Sequence, residues 1–304
     1  MATPNTVLAD INEIHVAFVL NKKKWFSTEG KTQYNQRIKQ AKPEEVADAI
    51  GKAEAMATEF LKWAKANGYK GAVNKVWWTA RPNSMSAAVG VPVDQSKNPT
   101  DVLVKFSSGP NNGFLGLSAK ATKGKGDIGF KNPGVGTVDK ALGLNIAGEL
   151  KNLTDKTIQQ FSLPESAKER KAYIRANSGI KKQTEQIGMD FMAAARDTLM
   201  KRLKQMKQDQ LLQYLLTDWM DAELLYPPYV KVTGQGSRPP YGAIAMDPLD
   251  NDKLKALRKD KITLTKVGNE SIGVKAGAKQ ILKMRFKFES EKMASSLKMS
   301  GDPW

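Results

Sequence analysis

The sequence predicts an α/β protein with two opening helices, a group of strands, a helical middle and a β-rich C-terminal part. Two changes of pattern support this prediction. Apolar residues first recur at helical spacing and then alternate, one position in two, between residues 74 and 121. The helical period returns from Thr137 to about Glu223, and alternating segments follow it to the C-terminus. A change of character at the Tyr-Pro-Pro-Tyr segment, near residue 225, is the best candidate for a boundary.

Two helices are predicted at the start of the chain. Residues 6–25 carry apolar side chains at helical spacing on more than one side, which predicts a helix buried on more than one face. The second helix is predicted from Pro43 to about Asn67. Proline suits the first turn of a helix, the two glutamates that follow it suit the positive end of the helix dipole, and Gly68 ends the helix.

Three strands are predicted next, at 74–80, 101–106 and 113–121. The last two are joined by Ser-Ser-Gly-Pro-Asn-Asn-Gly, which consists of turn-forming residues throughout. They are therefore expected to form an antiparallel hairpin.

The helical middle is predicted to break near Pro164 and near Gly179, and residues 185–220 form one long helix candidate with basic residues along it. Further strands are predicted in the tail, at 229–234, 261–267, 270–276 and 280–290.

Composition limits the functional classes. The 304 residues carry a formal charge of +17, with a sequence pI of about 9.7, and a surplus of that size favours a polyanionic partner, nucleic acid first. The absence of cysteine excludes disulfides and thiolate metal sites, and the single histidine, His15, excludes a histidine-rich one. Oxygen ligands, and hard ions such as Mg²⁺, remain. The apolar run "HVAFVL" is too short for a signal peptide or a membrane span, so a soluble, cytoplasmic protein without membrane partners is expected.

One group of residues points to chemistry. Side chains alternate faces along a strand, so Ser118 and Lys120 share a face of their strand. Asp101 starts the neighbouring strand of the predicted hairpin. An acid, a hydroxyl and an amine are thus expected to converge at one end of the hairpin, although the register cannot be read from the sequence.

Asp101, with Pro99 two residues before it, and Ser118-Ala119-Lys120 on the next strand resemble the motif of the PD-(D/E)XK nuclease superfamily, over roughly residues 1–150. The resemblance implies a restriction-endonuclease-like core, a mixed sheet flanked by helices whose second and third strands carry the motif. It implies a metal-dependent endonuclease that hydrolyses phosphodiester bonds in DNA, with Mg²⁺, or alternatively Mn²⁺, as cofactor. Asp101 would bind the metal, and Lys120 would position or deprotonate water. Many members of the superfamily act as homodimers.

Ser118 departs from this motif, which usually has Asp or Glu at that position. The resemblance then requires a replacement acid from elsewhere. Glu13 on the first helix ranks first, Glu149 on the helix after the motif ranks second, and Asp127 in the adjacent loop is a third candidate.

Basic residues near the motif and on the long helix are candidates for nucleic-acid binding. The glycine- and lysine-rich loop after the motif would let the backbone approach phosphates. The predicted division is a nuclease-like core with a helical extension over 1–225, and a β-rich, DNA-contacting region over 226–304. The candidate phosphate contacts are Lys123, Lys125, Lys131, Lys201, Arg202 and Lys204.

Simpler interpretations stand beside these. Glu13 with Asp10 also fits a helix capping box, and Asp101 is an ordinary residue at the start of a strand. Of the adjacent Trp77 and Trp78, one is expected to point into the core and the other outward. The rival functions are a non-catalytic basic DNA- or RNA-binding protein and a structural or ribosome-associated basic protein. The structural alternative predicts that Asp101 and Ser118 are exposed and far apart.

Overall fold

The computed structural model describes residues 5–95, 97–124, 130–220 and 222–304. The chain is mixed α/β and divides into two compact units, each formed by two segments. The first unit is Met1–Ile128 with Glu223–Asn251, and the second is Gly129–Ala222 with Asp252–Trp304. Within the described residues, no helix has the length and apolar character that a membrane crossing requires.

The first unit contains a five-stranded mixed sheet. Its strands lie in the order β1-β2-β3-β4-β5, with β3 and β4 parallel and every other neighbouring pair antiparallel. The helices are α1 (Asn5–Leu20), α2 (Thr28–Ile38), α3 (Pro43–Ala66) and α4 (Ser84–Val89). The strands are β1 (Lys70–Trp78), β2 (Val102–Ser108), β3 (Phe114–Ala121), β4 (Tyr229–Gln235) and β5 (Gly242–Met246).

The predicted hairpin is confirmed. β2 and β3 pair antiparallel, with Val102 opposite Leu117 and Val104 opposite Leu115. The connecting turn contains Asn111 and Asn112 at positive φ, a conformation that asparagine tolerates better than most residues. The turn chemistry in the sequence therefore sets the register of the two strands that carry the motif.

The core of the first unit lies on one face of its sheet. Helices α1 and α3 pack there against the odd-numbered residues of β3 and the even-numbered residues of β2, so the apolar stripe of each helix meets the apolar face of each strand. Ser118 and Lys120 project to the opposite face by strand alternation. The buried residues of this core include Val16, Ala17, Met56, Phe60, Val102, Val104, Leu115 and Leu117.

The second unit combines helices with a four-stranded antiparallel sheet in the order β6-β7-β8-β9. A single π-helical turn, Leu215–Trp219, follows α9. The helices are α5 (Val135–Leu142), α6 (Ile146–Phe161), α7 (Ala167–Ala176), α8 (Ser178–Lys204), α9 (Gln208–Tyr214) and α10 (Asp252–Lys259). The strands are β6 (Ile262–Val267), β7 (Ser271–Ala276), β8 (Lys279–Phe288) and β9 (Leu297–Pro303).

The compact units differ from the predicted segments 1–225 and 226–304. Strands β4 and β5 return to the first sheet, because β4 pairs with β3, and the helical middle shares a unit with the last four strands. The long helix predicted over 185–220 is also interrupted. α8 ends at Lys204, and a new helix starts after Lys207, whose backbone N–H donates to Gln210 Oε1 (3.2 Å).

Candidate functional site

Asp101, directly before β2, is held by main-chain hydrogen bonds to Thr79 on one side and to β3 on the other. Its N–H donates to the carbonyl of Leu117 (2.9 Å), and its carbonyl accepts from the N–H of Thr79 (3.1 Å). Its side-chain Oδ2 accepts from the N–H of Ala119 (2.7 Å). The carboxylate is thus fixed beside the Ser-x-Lys segment of β3.

The predicted cluster forms around this carboxylate. Lys120 Nζ and Ser118 Oγ each lie 3.4 Å from Asp101 Oδ2. Ser118 is completely buried, whereas the side chain of Lys120 is 53% exposed and that of Asp101 is 23% exposed. The amine therefore faces solvent at the same point where the carboxylate is only partly accessible. The proximity contradicts the structural alternative, which required Asp101 and Ser118 to be far apart.

A buried polar network positions the residues before Asp101. Asn98 Nδ2 donates to the carbonyl of Pro227 (2.9 Å), and Asn98 Oδ1 accepts from the hydroxyl of Thr100 (2.7 Å). The hydroxyl of Thr79 donates to the carbonyl of Thr100. Thr100 also lies directly over Gly116, where a Cβ atom would come within 2.1 Å of its Oγ1. Gly116 is thus needed for the close approach of this segment to β3.

Glu13 joins the site from α1. Trp78 Nε1 donates to Glu13 Oε2 (3.0 Å), which ties the helix to β1. The pKa of Glu13 is raised from 4.5 to about 7; burial is the main cause and the negative charge of Asp101 adds to it, while the Trp78 hydrogen bond and the charge of Lys120 oppose the change. Glu13 and Asp101 are therefore close enough to interact electrostatically.

The capping-box interpretation of Glu13 is wrong. Asp10 lies inside α1 rather than at its start, and its carboxylate forms an ion pair with Arg37 Nε (2.7 Å). Because Glu13 binds Trp78 instead of the start of the helix, its side chain is directed at the sheet.

Asp101 also has a raised pKa. Burial is the main cause, and it outweighs the charge of Lys120 and the hydrogen bond from Ala119, which both lower the pKa. Two neighbouring carboxylates with raised pKa values share a site with one lysine. Uncompensated negative charge accumulates there when both ionise.

This charge balance fits a divalent cation. Mg²⁺ is commonly held by one or two carboxylates together with water and substrate phosphates, and Asp101 and Glu13 are the carboxylates that could hold it here. Across the described ranges, no cluster of three or more histidine, aspartate or glutamate side chains is arranged to hold a metal ion.

The second acid candidate lies elsewhere in the chain. Glu149 is an exposed residue of α6, in the second unit, and is not among the side chains that the first unit gathers around Asp101. Asp127 lies outside the described residues. Of the two candidate acids that the structure describes, Glu13 is the one whose pKa the charge of Asp101 raises.

Some of the predicted phosphate-contacting residues are exposed, and others form hydrogen bonds within the protein. Lys123, Lys201 and Lys204 are exposed, and Lys125 lies outside the described residues. Two others take part in the structure of the second unit. Lys131 Nζ donates to the carbonyl of Thr217 (2.8 Å), and Arg202 Nε donates to the carbonyl of Leu142 (2.8 Å).

Sequence reasoning missed three residues of the site. Trp78 is one, and the only sequence signal for it was its position as one of two adjacent tryptophans. Lys231 and Thr233 are the others; they lie on β4 opposite Ser118 and Lys120, and each is only 3% exposed. No local pattern could have found them, because they are far from β3 in sequence.

No protein-family model matches the chain, and no curated protein matches its sequence.

Proposed function

We propose that the chain is a metal-dependent endonuclease that hydrolyses phosphodiester bonds in DNA, and that its first unit is a restriction-endonuclease-like core. The observation that carries the proposal is the contact of Asp101 with Ser118 and Lys120 at one end of the β2–β3 hairpin, with Glu13 of α1 near enough for the charge of Asp101 to raise its pKa. The motif residues stand at the start of the second strand and on the third strand of a mixed sheet with helices packed on it, as the resemblance to the PD-(D/E)XK superfamily requires.

Asp101 and Glu13 would hold Mg²⁺, or Mn²⁺ in its place. The ion, when bound, supplies charge neutralisation at the scissile phosphate and lowers the pKa of its water. Because Glu13 has a pKa of about 7, roughly half of these side chains are protonated at neutral pH without a cation. Binding a cation would then release a proton from Glu13, so the affinity for the metal should rise with pH.

Lys120 would serve the attacking water or the phosphate. Its amine is exposed, lies 3.4 Å from Asp101 Oδ2, and can form hydrogen bonds with a water or a phosphate oxygen. Ser118 would take a supporting part, since its hydroxyl donates to Asp101 Oδ2 and lowers the pKa of that carboxyl. The hydroxyl thus favours the ionised form of the one motif acid that remains.

The net charge of +17 supports a polyanionic substrate. Charge by itself is equally compatible with a protein that only binds DNA or RNA, so cleavage has to be measured separately from affinity.

The test is incubation of the protein with supercoiled and linear DNA, with and without Mg²⁺ or Mn²⁺. Cleavage is expected only with the metal, and Lys120→Ala should lower the rate about 10²- to 10⁴-fold, the range for loss of a proton-transfer group. Its affinity for DNA in EDTA should stay within about threefold of wild type, because one exposed phosphate contact contributes little. Lys62→Ala is the matched control, since this lysine of α3 is 77% exposed and pairs with Glu59 of its own helix.

Absence of cleavage by the wild type with either metal would refute the enzyme proposal. Retained affinity for DNA in that experiment would establish the non-catalytic binding protein in its place.

A further inference from the structure

Four residues form a surface that the site itself does not use. Lys75 and Trp77 of β1, Lys105 of β2 and Phe114 of β3 are hereafter called the aromatic–lysine patch. Lys75 lies opposite Lys105, and Lys105 lies opposite Phe114, so their side chains share one face of the sheet. Trp77 is two residues from Lys75 and joins the same face. This face is opposite to the one that packs on α1 and α3.

The two rings stand together without being buried. Trp77 and Phe114 are partly exposed, with ring centroids 6.1 Å apart and planes inclined at 39°. Each ring also carries a cation: Lys75 Nζ lies 5.1 Å from the Trp77 ring, and Lys105 Nζ lies 4.2 Å from the Phe114 ring. The patch therefore presents flat apolar surfaces and positive charge side by side.

The positive charges of Lys75 and Lys105 destabilise the patch when nothing is bound to it, because the two lysines lie opposite each other on neighbouring strands. Like charges directly opposite each other on neighbouring strands repel. Neither Lys75 nor Lys105 forms an ion pair with an acid anywhere in the described parts of the chain. Lys105 is nevertheless fixed in place, because its amine donates to the carbonyl of Asn112 in the turn. A bound anion would relieve the repulsion.

We infer that the aromatic–lysine patch binds single-stranded nucleic acid, with bases stacked on Trp77 and Phe114 and phosphates at Lys75 and Lys105. Exposed aromatic rings interleaved with positive charge are how proteins bind single strands, since every unpaired base offers a flat face to an aromatic ring. Paired bases in a duplex are already stacked on each other and offer no such face. The inference rests on the proposed function and assigns it a substrate class: DNA with a single-stranded end or branch.

The patch and the candidate site lie on the same face of β3. Phe114, Ser118 and Lys120 lie on the same face of this strand, and Lys120 is six residues beyond Phe114. At about 3.3 Å per residue the separation is roughly 20 Å. A strand held on the patch would pass over Thr100, which covers Gly116 on this face, to reach Asp101 and Lys120.

The test measures binding in EDTA by fluorescence anisotropy, with a labelled homopyrimidine oligonucleotide and a labelled duplex of equal length. Trp77→Ala and Phe114→Ala should each weaken single-strand binding at least about fivefold, the lower end for loss of one stacked base. Duplex affinity should stay within about twofold. Tyr173→Ala is the matched control, because this aromatic residue of α7 is 40% exposed. Trp77→Phe keeps an aromatic face and should restore most of the lost affinity.

A second variant tests the charges without touching the rings. Lys75→Gln with Lys105→Gln should reduce the slope of log affinity against log salt by about 0.7 for each lysine on a single strand. Lys62→Gln should leave the slope unchanged. Both patch lysines are on the surface side of the sheet, so this variant is expected to fold even if removal of a ring disturbs the strands.

Three results would overturn the inference. They are unchanged single-strand affinity in the folded patch variants, equal loss of affinity for single strand and duplex, and a change of sedimentation mass showing that the patch joins copies of the chain. The outcomes also separate the two proposals. A wild type that cleaves nothing, with patch variants that lose single-strand affinity, refutes the nuclease alone. A wild type that cleaves, with patch variants that bind normally, refutes the patch alone.

Discussion

Replacement of Glu13 by glutamine tests the electrostatics of the site directly. Glutamine keeps an oxygen that can accept the Trp78 Nε1 hydrogen bond and has nearly the same volume. It removes the negative charge that burial and Asp101 both disfavour. The variant thus isolates the charge from the packing.

The raised pKa of Glu13 determines whether the free energy of unfolding rises or falls with pH. A carboxyl group whose pKa is higher in the folded chain than in the unfolded chain binds its proton more tightly when folded. The wild type therefore loses stability as the pH rises from about 4.5, and the loss is complete above about 7. At about 1.36 kcal/mol per pKa unit, the full difference corresponds to roughly 3 kcal/mol. Because Glu13 is partly accessible, we expect about 2 kcal/mol.

The assay is urea unfolding of wild type and Glu13→Gln between pH 4.5 and 8.5, in EDTA and with Mg²⁺. In EDTA the two proteins should have similar free energies of unfolding at pH 4.5, and the variant should be more stable by about 2 kcal/mol at pH 8. Mg²⁺ should stabilise the wild type at pH 8 and have little effect on the variant. Glu149→Gln, at an exposed position of α6, should follow the wild type under every condition.

Parallel stability curves for wild type and Glu13→Gln in EDTA would refute the reasoning, because they would show that Glu13 ionises in the folded chain without cost. Equal stabilisation of both proteins by Mg²⁺ would show that any bound ion is held somewhere other than at Glu13.

Three further predictions address the neighbours of this carboxylate. Trp78→Phe removes a hydrogen bond that lowers the pKa of Glu13, so the pH at which stability stops falling should move above 7 in the same urea titration; an unmoved curve would contradict it. Ser118→Asp places a third carboxylate beside Asp101 and should tighten Mg²⁺ binding by calorimetry while destabilising the chain in EDTA; unchanged binding would argue against a metal site. Asn98→Ala leaves buried groups without partners and should lower the free energy of unfolding by about 1–3 kcal/mol, whereas a loss below about 0.5 kcal/mol would remove Asn98 from the network.

Local patterns predicted much of the fold, because local physics decides those features. Side-chain alternation and turn chemistry identified β2, β3 and their hairpin, and the cap and dipole signals identified α3. α2 was missed because it is polar on nearly every side. Only Gly30 and Tyr34 are buried there, and its main local signal is the side chain of Ser27, which accepts from the N–H of Gly30 (2.9 Å).

The sequence by itself determined the pieces of the candidate site: an acid at the start of one strand, a Ser-x-Lys on the next, and a strongly basic chain. The sequence ranked Glu13 first among the acids, but only the tertiary structure shows its interaction with Asp101, through the packing of α1 on the sheet and the contact of Glu13 with Trp78. The tertiary structure also determines that β4 pairs with β3 and that Trp77 and Phe114 share a face of the sheet. These contacts join residues distant in sequence, and burial of apolar surface, which carries no local signature, brings them together.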